Sequence, residues 1–204
     1  MRAQESRVSV ALTIDLSHYP YEVWDLALQH LDMFTEEIID ELGTIPWAEG
    51  KAYPQHSTVS AKTGEHNWGA SGSFSEIIMQ VSMNAGGGVG AVALTAAIKS
   101  VYGKLKSRSH GDARRSVASL DEAARIARSS LYRYYDVAAD RLTVVRSSVD
   151  VETQRYELEF RHMDGRRFGA VVGAVTGMPS STRVWVEGDD LLPRPEPEPP
   201  SPGN

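Results

Sequence analysis

Four glycines near the middle of the chain form its most distinctive chemical feature. Gly86, Gly87, Gly88 and Gly90 lie within one short stretch. A glycine-rich turn between a strand and a helix lets backbone N–H groups approach the phosphates of a nucleotide, and these glycines have that spacing. The acidic residue expected about twenty positions later is missing, as is the Lys-Ser/Thr ending of a phosphate-binding loop. A nucleotide-dependent enzyme is therefore the least favoured of three interpretations.

The same glycines also suit a helix. No residue between Glu76 and Lys99 is charged, and such a stretch is long enough to span a membrane. Its apolar content is low for a single span, although Gly86 and Gly90 have the GxxxG spacing that lets two helices approach closely. We favour a buried helix in a soluble fold, where the small residues mark close packing. Insertion into a membrane or oligomerisation through residues 77–98 is the alternative.

Other residues that support catalysis or metal binding are poorly arranged. The chain has no cysteine, which excludes disulfides, cysteine nucleophiles and thiolate zinc sites. His56 and His66 have no acidic partners at ligand spacing, and residues 69–73 approach a nucleophile elbow but end in Ser73. We therefore predict a protein that is not an enzyme and has no catalytic residue, metal site or cofactor.

A basic patch follows the uncharged stretch. Asp112 interrupts this patch and the net charge of the whole chain is -6, so nucleic-acid binding is not expected. We interpret the patch as the connection to a second domain, and in the membrane alternative it would lie at anionic headgroups. Its members are Lys99, Lys104, Lys106, Arg108, Arg114 and Arg115.

The N-terminal half predicts a strand-helix-loop-helix module over residues 1–108. Residues 8–16 alternate between apolar and polar, which indicates a strand instead of a secretory signal, so we expect a cytoplasmic protein. Apolar residues at three- and four-residue spacing from Pro20 to Gly43 predict an amphipathic helix with an acidic outer stripe. Residues 43–73 lack periodicity and predict a long loop with one short extended piece.

The C-terminal half predicts a helix followed by an antiparallel sheet over residues 116–188. Ser119 and Glu122 form a capping box, and a helix is expected to continue to about Tyr135. Apolar runs at residues 142–149, 156–160, 168–175 and 183–186 predict four strands, with a tight turn at Asp164-Gly165. Residues 189–204 are acidic and proline-rich and predict a disordered tail. The fold class is therefore α+β.

Short motifs in the C-terminal half carry a family resemblance. They are the helix start at residues 119–127, the strand at 156–160, the Asp164-Gly165 turn and the sequence 174–177 ending in Thr-Gly. With these motifs, residues 119–187 resemble a PepSY domain. Gly173 stands where that family usually has an acid before Thr-Gly. The resemblance implies a small non-catalytic regulatory or inhibitory module.

A second, looser resemblance covers residues 8–108. It rests on the opening strand and helix, the Trp68-Gly69-Ala70 loop, and the glycine-rich helix ending in a basic run. This segment is similar to the effector-associated constant component family of bacterial conflict systems. The resemblance implies an adaptor-like part that couples sensors to effectors.

Together these features predict a non-enzymatic regulatory or adaptor protein that acts through protein–protein interaction. A component of a bacterial conflict or signalling system is the specific role that the resemblance of residues 8–108 implies. We expect a protein partner, and a homo-oligomer is a further arrangement that the small residues at 77–98 would allow.

Overall fold

A computed structural model describes most of the chain, and every structural statement below concerns the part described. The glycines at 86–88 and 90, His56, His66, the 68–70 loop, Arg115 and the predicted tail at 189–204 lie outside it. The described residues are 5–13, 18–43, 57–65, 73–82, 91–114 and 116–187.

An eight-stranded sheet forms the centre of the described part, in the order β3-β4-β1-β2-β8-β7-β6-β5. The pair β1–β4 is parallel and every other neighbouring pair is antiparallel. The strands are β1 (Glu5–Thr13), β2 (Glu22–Gln29), β3 (Ser57–Glu65), β4 (Ser73–Ser82), β5 (Leu142–Asp150), β6 (Arg155–His162), β7 (Arg167–Val172) and β8 (Ser181–Glu187). The helices are α1 (Thr35–Gly43), α2 (Ala91–Ser107) and α3 (Leu120–Tyr135).

The α+β class is confirmed, but the helix predicted from Pro20 to Gly43 is wrong in its first half. Residues 22–29 form β2, and α1 begins only at Thr35. Because α2 covers one face of β2 and α3 covers the other, every residue from Val23 to Leu28 is buried. A strand that is buried on both faces reads as a continuous apolar run, and a short run of this kind cannot be told from a helix by periodicity.

The single helix predicted over residues 77–98 is also wrong. Residues 77–82 belong to β4, which pairs with β1 on one side and β3 on the other, and α2 begins at Ala91. Because β4 is uncharged from Ile77 onward and leads into the uncharged glycine segment, no charged residue marks the end of the strand. Strand, glycine segment and helix follow in the order that the nucleotide interpretation assumed. No helix of the described residues is long and apolar enough to cross a membrane.

The predicted elements of the C-terminal half are confirmed. The Ser119 Oγ accepts a hydrogen bond of 3.2 Å from the Glu122 N–H, while the Glu122 carboxylate accepts one of 2.9 Å from the Ala118 N–H. The helix α3 ends at Tyr135, and β5 to β8 overlap the four predicted apolar runs, although β7 ends at Val172 and leaves residues 173–175 outside the strand. Gly165 has a φ of 96°, as a tight turn between β6 and β7 requires.

Two apolar cores lie on opposite faces of the sheet. One core joins alternate residues of β1 and β2, such as Val10 and Leu26, to α2 through Ile98, Tyr102 and Leu105. The other core places α3 against β6, β7 and β8, and its members include Leu131, Phe160, Phe168 and Val184. Side chains alternate between the two faces along each strand, so one set packs toward α2 and the other set packs toward α3.

One sheet joins the two predicted modules. Strand β2 pairs with β8 from Glu22–Trp185 to Leu26–Ser181. Beyond Leu26, the last residues of β2 instead form hydrogen bonds with the connection after α2. Bridges between Leu28 and Asp112 and between Leu31 and Ser109 pair this connection with the end of β2 and with the chain just after it. The boundary at residues 109–115 stays a prediction, but the strands on its two sides form a continuous sheet.

Candidate functional site

The predicted basic patch faces the predicted acidic stripe. Lys104 Nζ lies 2.7 Å from a Glu41 carboxylate oxygen, and an Arg108 guanidinium nitrogen lies 3.9 Å from one of Glu37. Lys106 Nζ lies 3.2 Å from an Asp112 carboxylate oxygen. The basic end of α2 is therefore balanced by α1 and by Asp112, whereas Lys99 is exposed. This arrangement does not favour an open surface for anionic headgroups.

A buried polar cluster joins β1, β2 and α3. Arg7 forms an ion pair of 2.6 Å with Asp25, and the Ser9 Oγ donates a hydrogen bond of 3.0 Å to the same carboxylate. The oxygens of Ser9 and Tyr134 lie 2.7 Å apart. Because the single hydroxyl proton of Ser9 goes to Asp25, the Tyr134 hydroxyl is the donor to Ser9.

The environment of this cluster shows that it is structural. Ser9 has no exposed surface and Asp25 is 2% exposed, so no substrate reaches the serine–aspartate pair. Burial raises the pKa of Tyr134, and the charge of Asp25 adds to the effect. Burial lowers the pKa of Arg114, and the nearby charge of Arg7 acts in the same direction. The cluster holds α3 on the β1–β2 pair.

Strand β5 forms an edge of the sheet with little protection. It pairs only with β6 among the described residues, and after Leu142 and Val144 its side chains are exposed. Val145 and Val149 are 45% and 44% exposed, and Val151, just past the strand, is 81% exposed. An edge strand offers unpaired backbone N–H and C=O groups to another chain, and exposed valines favour such pairing.

A groove of about 460 Å³ lies beside the start of this edge. Helix α3 provides Arg125, Arg128, Ser129 and Tyr132, and the chain before β5 provides Ala138 and Ala139. The spacing of the α3 residues places them on one face of the helix.

Arg128 connects the groove to β5. Its guanidinium donates a hydrogen bond of 3.3 Å to the Leu142 carbonyl and lies 5.6 Å from the centre of the Phe160 ring. The Nε of Arg128 is buried without a hydrogen-bond partner. The side chain of Arg128 therefore lines the groove while its guanidinium is anchored to the start of β5.

Comparisons of the chain with protein-family models, with curated proteins and with solved structures found no match. These comparisons therefore assign the chain to no family. The resemblances of residues 119–187 and 8–108 therefore stay predictions, and the candidate site depends on geometry alone. In the described ranges, no group of three or more histidine, cysteine, aspartate or glutamate residues is placed to hold a metal ion.

The edge and the groove together can receive an extended peptide. Backbone groups of β5 would pair with the peptide, while side chains of the peptide would reach the groove. Guanidinium groups bind carboxylates through charge-assisted hydrogen bonds, so acidic side chains fit best. Our sequence analysis missed this site. The spacing of Arg125, Arg128 and Tyr132 along α3 was the available signal, but only the fold places the helix beside an unpaired strand.

Proposed function

We propose that this chain is a non-enzymatic adaptor or regulatory protein that binds a protein partner by strand addition to β5. The observation that carries the proposal is the exposed edge strand β5 beside a groove lined by Arg125 and Arg128. A role in a bacterial conflict or signalling system agrees with both family resemblances. We expect the interaction to occur in the cytoplasm.

The partner segment is extended and acidic. Arg125 is 73% exposed in its side chain and stands at the groove, and Arg128 adds a second guanidinium. The exposed residues Arg141 and Arg146 lie at the start and middle of β5. Arg146 has an ion pair of 3.2 Å with Glu159, whereas the contact of Arg125 with Glu122 is longer, at 3.7 Å, so we assign the selectivity to the groove arginines. Glutamates alternating with β-branched residues would place acids on the groove side and keep strand propensity.

The test uses two synthetic peptides of equal length, one alternating Glu and Val and the other alternating Lys and Val. We expect the acidic peptide to bind the full chain and to slow hydrogen exchange of the outward-facing β5 amides. The basic peptide should bind at least about tenfold more weakly, because its lysines would face the groove arginines. Such contacts between like charges cost more than about 1.4 kcal/mol, which corresponds to about tenfold in affinity. Heteronuclear NMR on the full chain measures both effects.

Charge reversal at the groove separates the specific site from general attraction. Arg125→Glu should weaken binding of the acidic peptide, whereas Arg133→Glu, on the same helix but outside the groove lining, should change it little. Equal losses of peptide affinity in the two variants would show that the effect comes only from the net charge of the chain. Binding without protection of β5 amides would overturn strand addition.

A further inference from the structure

Two histidines far apart in the sequence meet at the end of β2. The ring centres of His30 and His110 are 4.8 Å apart, and the ring planes are inclined at 44°. Both residues are exposed to solvent. His30 directly follows β2, and His110 lies in the connection after α2.

The backbone around both histidines is fixed by hydrogen bonds. The His110 N–H donates to the carbonyls of Gln29 at 3.0 Å and His30 at 3.3 Å, and the Gln29 N–H donates to the Gly111 carbonyl at 2.9 Å. His30 has a φ of 39°, a conformation that is uncommon for residues other than glycine, although Asn, Asp and His adopt it more often than the rest. The fold thus holds a strained residue in place, as is common at functional sites.

This geometry fits a shared metal ion. Metal–nitrogen bonds of about 2 Å and a tetrahedral angle place the centres of two imidazole ligands about 5 Å apart. Imidazole prefers zinc, copper and nickel over calcium or magnesium. Among the described residues no third ligand completes a group of three, so water would occupy the remaining positions.

We propose that His30 and His110 form a binding site for a divalent transition-metal ion of the zinc type. A bound ion would link the end of β2 to the connection between α2 and α3. It would therefore tie the N-terminal module to the segment that the sequence analysis interpreted as the connection to the second domain. The site is independent of the β5 edge and of the proposed adaptor function.

Titration of the full chain with Zn²⁺ and with Ni²⁺ by isothermal calorimetry tests the site. The variants are His30→Asn, because asparagine tolerates a positive φ, and His110→Gln. We expect each single variant to weaken the tightest metal site by at least about tenfold, the scale on which even outer-shell changes act, and the double variant to abolish it. The matched control is His18→Gln, which should leave metal affinity unchanged.

Histidine NMR signals provide the second readout. Metal addition should shift the ring resonances of His30 and His110 before those of His18. Circular dichroism shows whether each variant keeps its fold, and both histidines are exposed, so the fold should persist. Equal affinity in the double variant and in the natural sequence would overturn the proposal, as would ring shifts confined to other histidines.

Discussion

Gly169 on β7 lies directly opposite Trp185 on β8, and the indole covers the space that a side chain would need. A Cβ at position 169 would lie 2.0 Å from the Cε2 and Cζ2 atoms of Trp185. The same indole stacks with the Arg183 guanidinium, whose centre is 4.8 Å from the Trp185 ring and 5.4 Å from the Trp24 ring. Displacement of Trp185 therefore disturbs a layered contact across three strands.

We expect Gly169→Ala to lower the free energy of unfolding by about 1–3 kcal/mol, the usual cost of forcing an extra methyl group into a packed contact. The matched control is Gly103→Ala in α2, where a Cβ meets nothing within 4 Å. This control should raise stability by up to about 1 kcal/mol, because alanine is the better helix former. Urea denaturation measures both. Equal effects in the two variants would contradict the packing argument.

Three buried tyrosines predict a loss of stability in alkaline solution. Burial raises the pKa of Tyr102, Tyr134 and Tyr135, and the charges of Asp25 and Glu22 add to the effect. Above about pH 10 the unfolded chain releases these protons while the folded chain keeps them, so unfolding becomes more favourable as pH rises. Each tyrosine contributes up to about 1.4 kcal/mol per pH unit.

The variant Tyr134→Phe isolates one of these contributions. Near pH 8 it should lower stability by about 1 kcal/mol through loss of the hydrogen bond to Ser9. Between pH 10 and 11.5 its stability should fall less steeply with pH than that of the natural sequence. Tyr132→Phe, at a side chain that is 60% exposed, is the control and should keep the natural slope. Identical slopes for all three proteins would refute the explanation.

At the scale of elements, α1 and α2 pack through opposite charges. The helix α1 carries Glu37 and Glu41 toward Lys104 and Arg108 near the end of α2. Basic residues near a helix C-terminus also interact favourably with the helix dipole. The two predicted charge features therefore act on each other, and neither needs an external partner.

A charge-exchange cycle measures this contact. Lys104→Glu should reduce the free energy of unfolding by less than about 1 kcal/mol, because the pair is exposed and screened by solvent. Glu41→Lys should do the same, and the double variant should recover most of the loss. Urea denaturation at low and high salt provides the values. An additive double variant would mean that the two side chains do not interact.

At the scale of the whole molecule, contacts join residues of the N-terminal half to residues of the C-terminal half. Ser9 bonds Tyr134, and the Tyr135 hydroxyl donates to the Tyr21 carbonyl at 3.3 Å and the Val184 carbonyl at 3.4 Å. Strand β2 pairs with β8 along five residue pairs. These contacts make the stability of the α3–β8 segment depend on β1 and β2.

We therefore expect the described sheet to unfold as one cooperative unit. Hydrogen exchange of β1 amides and of β7 amides should report the same free energy of unfolding in the full chain, and both should fall equally as urea increases. A substitution in one half, such as Gly169→Ala, should lower protection in both halves. Two separate transitions would support independent modules with a boundary near residues 109–115.

The sequence alone determined the C-terminal elements. The capping box at Ser119, the Asp164-Gly165 turn and the alternating runs of β6 are local signals, and each acts through neighbouring residues. These signals specify where a helix or strand begins without reference to the rest of the fold. The α+β class followed from them.

The tertiary structure decided what local patterns could not. Residues 22–29 became a strand because α2 and α3 cover its two faces, and that burial removes the alternation by which a strand is recognised. Residues 73–82 became a strand through pairing with β1 and β3. The His30–His110 pair brings together residues that are distant in sequence, and the groove on α3 becomes a candidate site only because the sheet order leaves β5 at an edge among the described residues. No local signal encodes such proximity, because it arises only when the sheet order places one strand at the edge and joins β2 to β8.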